Sequence, residues 1–212
     1  MNIADIRKDY KKQSLLETEV DPNPFIQFER WWKDAVNSEI DEVNAMTLAT
    51  IGTDDMPAAR IVLLKGFNED GFVFFTNYNS HKGAELEAIP KACLVFFWAP
   101  LERQVRIDGM VEKVTAGESD EYFFSRPVES RIGAWCSPQS AVIGSRSVIE
   151  ENVKKYSEQF AGGDVPRPAH WGGYRVRPVR FEFWQGRPSR LHDRILYSAG
   201  DGGNWKIERL AP

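Results

Sequence analysis

The chain has 212 residues, 42% of them hydrophobic and 12% aromatic, with a formal net charge of −4. That is enough apolar material for one core and a single domain, and no apolar run approaches the ~20 residues a membrane span requires. The acidic balance argues against a general nucleic-acid binder, and Cys93 and Cys136, with no CxxC spacing, read as buried small apolar residues suited to a reducing cytoplasm.

Residues 1–20 are set apart as an N-terminal arm, and residues 21–212 as one domain. The first ten residues carry acids and no apolar segment, so they do not read as a signal peptide. Ile3, Ile6 and Tyr10 stand at helical spacing, which fits either a short amphipathic helix or a mobile arm. Asn23 as N-cap and Pro24 at the first helical position then open a helix whose Phe25, Phe28, Trp31, Trp32 and Ala35 form a core stripe.

From residue 45 the texture changes to strands, at 45–51, 58–66 and 72–76, separated by turns at Gly52-Thr-Asp-Asp55 and Asn68-Glu-Asp-Gly71. Within the second, Arg60-Ile-Val-Leu-Leu-Lys65 reads as a strand buried on both faces with a cation at each end. An anion lying along it would explain the cations, because an unpaired buried charge is costly. The competing reading is a core strand whose end cations reach solvent. On a regular strand, residues five apart point to opposite faces and lie about 16 Å apart, so Arg60 and Lys65 grip no common phosphate unless the parity breaks locally.

Ser80 is the expected N-cap of a short helix beginning His81-Lys82. Free N–H groups, the positive end of the helix dipole and Lys82 suit its start to a phosphate. Residues 92–98 and 104–114 read as strands, the latter bulged at Gly109. Thr115-Ala-Gly-Glu118 is a capping box opening a helix to about Ser125. Tyr122 and Arg126 share a face there, and Ser130 follows Pro127, a set suited to a second phosphate. A further helical turn is expected at 129–135, and a second capping box, Ser147-Val-Ile-Glu150, opens a helix ending at Gly162-Gly163.

Residues 174–184 alternate as a strand, and 195–197 with 205–208 form a hairpin. His81, His170 and His192 are too scattered for a metal site, and no GxGxxG or Walker loop is present. The C-terminal part is basic: from Val165 to Pro212 there are nine Lys and Arg against four Asp and Glu, which fits either a localised anion site or a solvated basic face. Six or seven strands in antiparallel meander order, with inserted helices, predict a mainly β (α+β) closed or nearly closed barrel rather than a doubly wound sheet.

Taken together, several segments resemble the pyridoxine/pyridoxamine 5′-phosphate oxidase family. They are Arg60-Ile-Val-Leu-Leu-Lys65, Phe75-Thr-Asn77 with Ser80-His-Lys82, Leu101-Glu-Arg-Gln-Val105, Ser125-Arg-Pro127, Gln139-Ser140, Phe183-Trp-Gln-Gly186, Arg190-Leu-His-Asp-Arg194 and Trp205-Lys-Ile-Glu-Arg-Leu-Ala-Pro212. The likeness runs from about Ile6 to the C-terminus. It implies an antiparallel FMN-binding split β-barrel, active as a homodimer whose two chains build each site.

It implies FMN contacts from Arg60, Ile61, Val62, Leu63, Leu64, Lys65, Phe75, Thr76, His81, Lys82, Gln104, Gln139, Ser140, Trp184 and Arg194. The early Arg60 and Lys82 and the late Gln139, Trp184 and Arg194 are implied to come from different chains. Lys65, Tyr122, Arg126 and Ser130 are implied to hold the substrate phosphate, and Arg190, Leu191 and His192 to meet the substrate ring, with Arg190 and His192 catalytic. Arg7, Lys8, Asp9 and Tyr10 are implied to close over the substrate as an arm. His81 stands where relatives usually carry Arg.

The implied reaction is FMN-dependent oxidation of pyridoxamine 5′-phosphate and pyridoxine 5′-phosphate to pyridoxal 5′-phosphate, with O2 reduced to H2O2 and no metal, in the cytoplasm. The alternative on the same barrel is a non-catalytic flavin or pyridoxal-phosphate binding protein.

Overall fold

The computed structural model describes residues 2–3 and 9–212. Arg7 and Lys8, and the expected helical position Ile6, lie outside the described residues. The first helix, α1 (Pro24–Asn37), starts where its sequence requires: Asn23 Oδ1 accepts from Phe25 N–H at 2.9 Å, and Pro24 has no donor to satisfy. Phe28, Trp31 and Ala35 fall on one face and are buried.

Nine strands follow, interrupted by four helices. They are β1 (Ala45–Ile51), β2 (Pro57–Leu63), β3 (Gly66–Asn68), β4 (Gly71–Asn77), β5 (Lys91–Trp98), β6 (Arg103–Lys113), β7 (Trp171–Gln185), β8 (Asp193–Ala199) and β9 (Trp205–Leu210). The helices are α2 (His81–Ala88), α3 (Ala116–Ser125), α4 (Val128–Cys136) and α5 (Ser147–Gln159).

Every strand pair is antiparallel, in the order β2-β1-β5-β6-β7-β4-β3, with β8 beside β7 and β9 beside β8. The two ends of that path, β2 and β3, are consecutive in sequence and joined only by Leu64 and Lys65. Leu64 N–H donates to Asn44 O at 2.9 Å and Lys65 N–H to Val73 O at 2.8 Å. A sheet whose first and last strands are so joined must curl until they meet, and the expected split barrel results.

Inside the curl, Phe28 of α1 meets Phe67 and Phe72 edge-on at 4.9 Å and Phe96 at 5.2 Å. Burying each such ring stabilises the fold by roughly 1.5–3 kcal/mol. A smaller cluster, Phe123, Val165 and Trp171, sits under α3 and α4.

Three local expectations change. The run 58–66 is not one strand buried on both faces. Its β2 part pairs only with β1, Ile61 is 65% exposed, and of Arg60 to Lys65 only Leu64 is buried. The reason is position: β2 ends the sheet path, and the chain must leave it at Leu64 to reach β3.

Second, the box at Ser147–Glu150 does not form. Ser147 is already helical, its Oγ lies 2.6 Å from Ser145 Oγ, and Glu150 pairs with Arg146 at 3.3 Å. Third, β7 is longer than 174–184, because its first residues pair with β4. By contrast the Thr115–Glu118 capping box is complete, and the β6–β7 register shifts at Asp108/Gly109 as the glycine predicts. No helix among the described residues is long and apolar enough to cross a membrane.

At Gly109 a Cβ would stand 2.4 Å from Arg177 O and 2.7 Å from Val176 Cγ1. Gly109→Ala should therefore lose about 1–3 kcal/mol of stability, as overpacked sites do. The urea midpoint measures this, and an unchanged midpoint would show that the bulge moves aside freely.

Candidate active site

A cavity of about 540 Å³ is lined by Arg60 and its neighbours Ile61, Val62 and Leu63 on β2, by Lys65 in the β2–β3 link, and by Phe75 and Thr76 on β4. Lys82 of α2, Tyr122 of α3, Arg126, Gln139 and Trp171 complete the lining, which contains four cations and no acid. Because the strand stops at Leu63, Arg60 and Lys65 escape the alternation that would set them on opposite faces. Both line this one cavity. Ser130 lines an adjoining cavity of about 330 Å³ that also includes Arg126, Gln139 and Trp171. The side chain of Leu64, also expected as a cofactor contact, lies in the hydrophobic core, so only its main chain could face the cavity.

The first turn of α2 brings a cation to this wall. Ser80 caps the helix, its Oγ accepting from Gly83 N–H at 3.3 Å. Lys82 is 8% exposed, and its Nζ donates to hydroxyls, Thr76 Oγ1 at 3.3 Å and Ser80 Oγ at 3.4 Å. Burial, and then the charge of Arg60, pull its pKa below the ordinary 10.5, with Glu85 partly opposing.

Arg60 Nη2 lies 2.8 Å from Glu85 Oε2, which also accepts from Thr50 Oγ1 at 2.6 Å, and Arg60 Nη1 donates to the same hydroxyl. Glu85 is thus bonded to the half-buried Arg60 and leaves buried Lys82 without a carboxylate partner among the described residues, and an anionic ligand would supply the missing charge.

The opposite wall is aromatic. Phe75 stacks on Tyr122 at 4.1 Å and lies nearly parallel to Trp171 at 5.5 Å. Lys65 Nζ is 5.9 Å from the Tyr122 centroid, and the Arg126 guanidinium is 4.7 Å from that of Trp171. Arg126 Nη1 is buried without a hydrogen-bond partner, and burial lowers the residue's pKa. Leaving such a donor unsatisfied costs about 1–3 kcal/mol, so a ligand oxygen that accepts from it is strongly favoured.

The remaining expected residues form a second group around the end of β7. Gln104 pairs with Trp184 across β6–β7, and Trp184 with Arg194 across β7–β8. Arg194 donates to Glu182 Oε1 and to Ala211 O, both at 2.8 Å. The His192 ring lies 4.6 Å from Trp184, and Tyr10 lies 5.7 Å from Trp184 and 6.0 Å from His192.

His192 Nδ1 accepts from Arg187 N–H at 3.1 Å. Burial and the Arg190 charge, partly opposed by Asp193, draw its pKa below 6.5. The ring is therefore neutral at pH 7 with its proton on Nε2. Ser189 and Arg190 are both left-handed, at φ 56° and 62°, a backbone that costs roughly 1–3 kcal/mol per residue and persists where surroundings impose it. Asp9 and Leu191 are exposed.

None of this second group lines the 540 Å³ cavity. Gln139 does, and its Oε1 accepts from Thr76 Oγ1 at 3.2 Å. It therefore sits with Arg60 and Lys82 of its own chain and not with Trp184 and Arg194. His81 and Ser140 line a neighbouring cavity of about 470 Å³ that meets the first at Gln139.

Two participants escaped the sequence reading. Glu85 lies three residues after Lys82, one helical turn along the same face, and that spacing was an available signal. Trp171 had none, because its contact with Arg126 joins distant segments.

Residues 32–160 match the pyridoxamine 5′-phosphate oxidase family, and residues 171–212 the pyridoxine 5′-phosphate oxidase C-terminal dimerisation region. A pyridoxine/pyridoxamine 5′-phosphate oxidase of Nostoc sp. is 58% identical over 99% of this chain and 98% of its own length. The enzyme of that name from Burkholderia multivorans is 58% identical over 99% of each.

Among solved structures, PhzG from Burkholderia lata, in complex with tetrahydrophenazine-1-carboxylic acid, superposes with a TM-score of 0.86 at 28% identity. That match covers 93% of this chain and 98% of the other. A pyridoxamine 5′-phosphate oxidase-related, FMN binding protein from Nostoc punctiforme shares the fold, with a TM-score of 0.71 at 18% identity over 91% of this chain and all of its own.

A lysine whose pKa is lowered by folding binds fewer protons folded than unfolded between the two values. Stability of the ligand-free protein should therefore rise with pH towards 10.5 through Lys82, its penalty being full below the lowered value. Lys82→Met should remove that component. Equal pH slopes of the two denaturation midpoints would show that the amine is not held uncompensated.

Proposed function

The chain belongs to the pyridoxamine 5′-phosphate oxidase family and is an oxidoreductase; from this premise we propose that it oxidises pyridoxamine 5′-phosphate and pyridoxine 5′-phosphate to pyridoxal 5′-phosphate, using FMN and O2 and yielding H2O2. The observation that carries the proposal is the acid-free cavity in which Lys82 lacks a carboxylate of its own and Arg126 keeps an unpaired donor. A phosphorylated ligand answers both deficits.

Arg60 and Lys82 would hold the FMN phosphate, with Thr76 and Gln139 beside them. Lys65, Tyr122, Arg126 and Ser130 would hold the substrate phosphate. When bound, the flavin supplies the two-electron acceptor, which O2 restores. The chain's own contribution is positioning and charge. The Arg190 guanidinium would offset negative charge on the substrate ring. Neutral His192, with Nδ1 engaged by Arg187 N–H, has Nε2–H left to donate.

The separation of the two groups within one chain supports a homodimer in which the Arg60–Lys82 group of one chain meets the Trp184–Arg194 group of its partner. The match of residues 171–212 to a dimerisation region supports the same reading. So do the exposed Ile61 and Phe97, which a partner would cover. Cys93 and Cys136 are unpaired, as in a cytoplasmic enzyme.

The direct test is anaerobic addition of pyridoxamine 5′-phosphate to the purified protein. The protein should be yellow, should release FMN on denaturation, and should bleach. Bound flavin that does not bleach would make it a binding protein instead.

Arg126→Ala should keep FMN and raise KM, because a charge-assisted phosphate contact contributes roughly 1.5–3 kcal/mol. A wild-type KM with flavin lost would assign Arg126 to the cofactor. Mixing inactive Lys82→Ala with inactive Arg194→Ala should restore activity in exchanged heterodimers, since one of the two sites then has both groups intact. No restoration after demonstrated exchange would count against a shared site.

A further inference from the structure

Within Leu101-Glu-Arg-Gln-Val105 the proposed site uses Gln104 and leaves Glu102 without a role. Glu102 is 3% exposed and left-handed at φ 57°. A buried acid in a disfavoured backbone conformation persists only where its surroundings impose it. Its Oε2 accepts from two successive backbone N–H groups of the arm, Lys11 at 2.9 Å and Lys12 at 3.2 Å. Its own carbonyl accepts from Gly186 N–H at 2.7 Å. One residue therefore ties the arm to the end of β7.

Gly186 is where Tyr10 rests. A Cβ there would stand 2.7 Å from Tyr10 Cγ, and the three nearest atoms all belong to that side chain. A second anchor holds the arm further along: Asp193 Oδ2 accepts from Leu15 N–H at 3.1 Å, and Arg209 donates to Leu15 O at 2.9 Å.

We infer that Glu102 is a positioning residue: by holding the Lys11 and Lys12 amides it keeps Tyr10 on Gly186, beside Trp184 and His192, and so completes one wall of the substrate half-site. This rests on the oxidase reading, in which His192 meets the substrate. The two amide contacts are charge-assisted and so among the stronger hydrogen bonds. Arg60 and Lys82, the proposed holders of the FMN phosphate, do not touch the anchor, so its loss leaves that phosphate held and acts first on substrate binding.

The test uses the flavin-loaded, full-length protein. Glu102→Gly removes the carboxylate while glycine accepts φ 57° without strain. Glu102→Asn, which also tolerates a left-handed backbone, is a second variant with too short a reach. Glu102→Gln keeps an acceptor oxygen, and Gly186→Ala displaces the Tyr10 ring alone.

Hydrogen exchange at the Lys11 and Lys12 amides should speed up at least tenfold in Glu102→Gly. KM for pyridoxamine 5′-phosphate should rise about tenfold, the scale of one lost charge-assisted anchor, with kcat and FMN content held. Glu102→Gln should restore most of both. Gly186→Ala should raise KM while those amides stay protected. Glu102→Gly combined with Tyr10→Ala should be no worse than Tyr10→Ala alone, because the two act as one unit.

Unchanged exchange in Glu102→Gly and Glu102→Asn, or additive KM increases in the double variant, would overturn the inference. Wild-type turnover tests the oxidase reading separately. Its absence would overturn that reading, while faster exchange in Glu102→Gly would still support the anchor.

Discussion

A strand has two edges, and the architecture follows from how β7 uses them. Along one edge it pairs with β6 for almost its whole length. Along the other, its first residues carry β4 and its last carry β8, with β9 beyond. Fifteen residues are needed to do both. The bulge at Asp108/Gly109 lets β6 follow β7 past the change of neighbour. Everything chemical is arranged about this strand. Trp171 at its start belongs to the cavity with Lys82 and Arg126, and Trp184 at its end sits with Arg194 and His192.

The separation has an electrostatic consequence. The first group holds cations that the fold does not fully neutralise: Arg60 takes up Glu85, Lys82 is left with hydroxyls, and Arg126 has a ring and an unpaired N–H. Around the second group Arg194 is answered by Glu182 and Arg209 by Glu17 and Asp193, which leaves Arg190 as the cation without a carboxylate partner there among the described residues. In the proposed reading the first group receives the anion and the second is a pre-assembled framework, and the binding energy of a phosphorylated ligand would be drawn chiefly from a charge deficit present in the folded chain.

The framework group also accounts for the arm. Glu102, Asp193 and Arg209 are borne at or beside strand ends, and each bonds to main-chain atoms of residues 11–15. Main-chain atoms are present whatever the arm's side chains are, so these contacts set where the arm runs. Side chains such as Tyr10 then determine what it touches.

Much of this was legible in the residues. Asn23 and Pro24 start α1, Thr115 and Glu118 close a capping box, Ser80 caps α2, and Gly109 marks the bulge, because each rests on local chemistry within a few residues. The family resemblance likewise named residues that the fold gathers into two groups, the cavity around Lys82 and the end of β7. Three things needed the tertiary structure. Arg60 and Lys65 come to one cavity because the chain leaves the sheet at Leu64, which a periodicity of two cannot express. Gln139 joins Thr76 across 63 positions, and the chain between them gives no sign of the contact. Glu102 has no role of its own in the sequence until the backbone of Lys11 and Lys12 is laid upon it. Local hydrogen bonding and burial preference are written residue by residue, whereas a meeting of distant segments exists only once the sheet has curled.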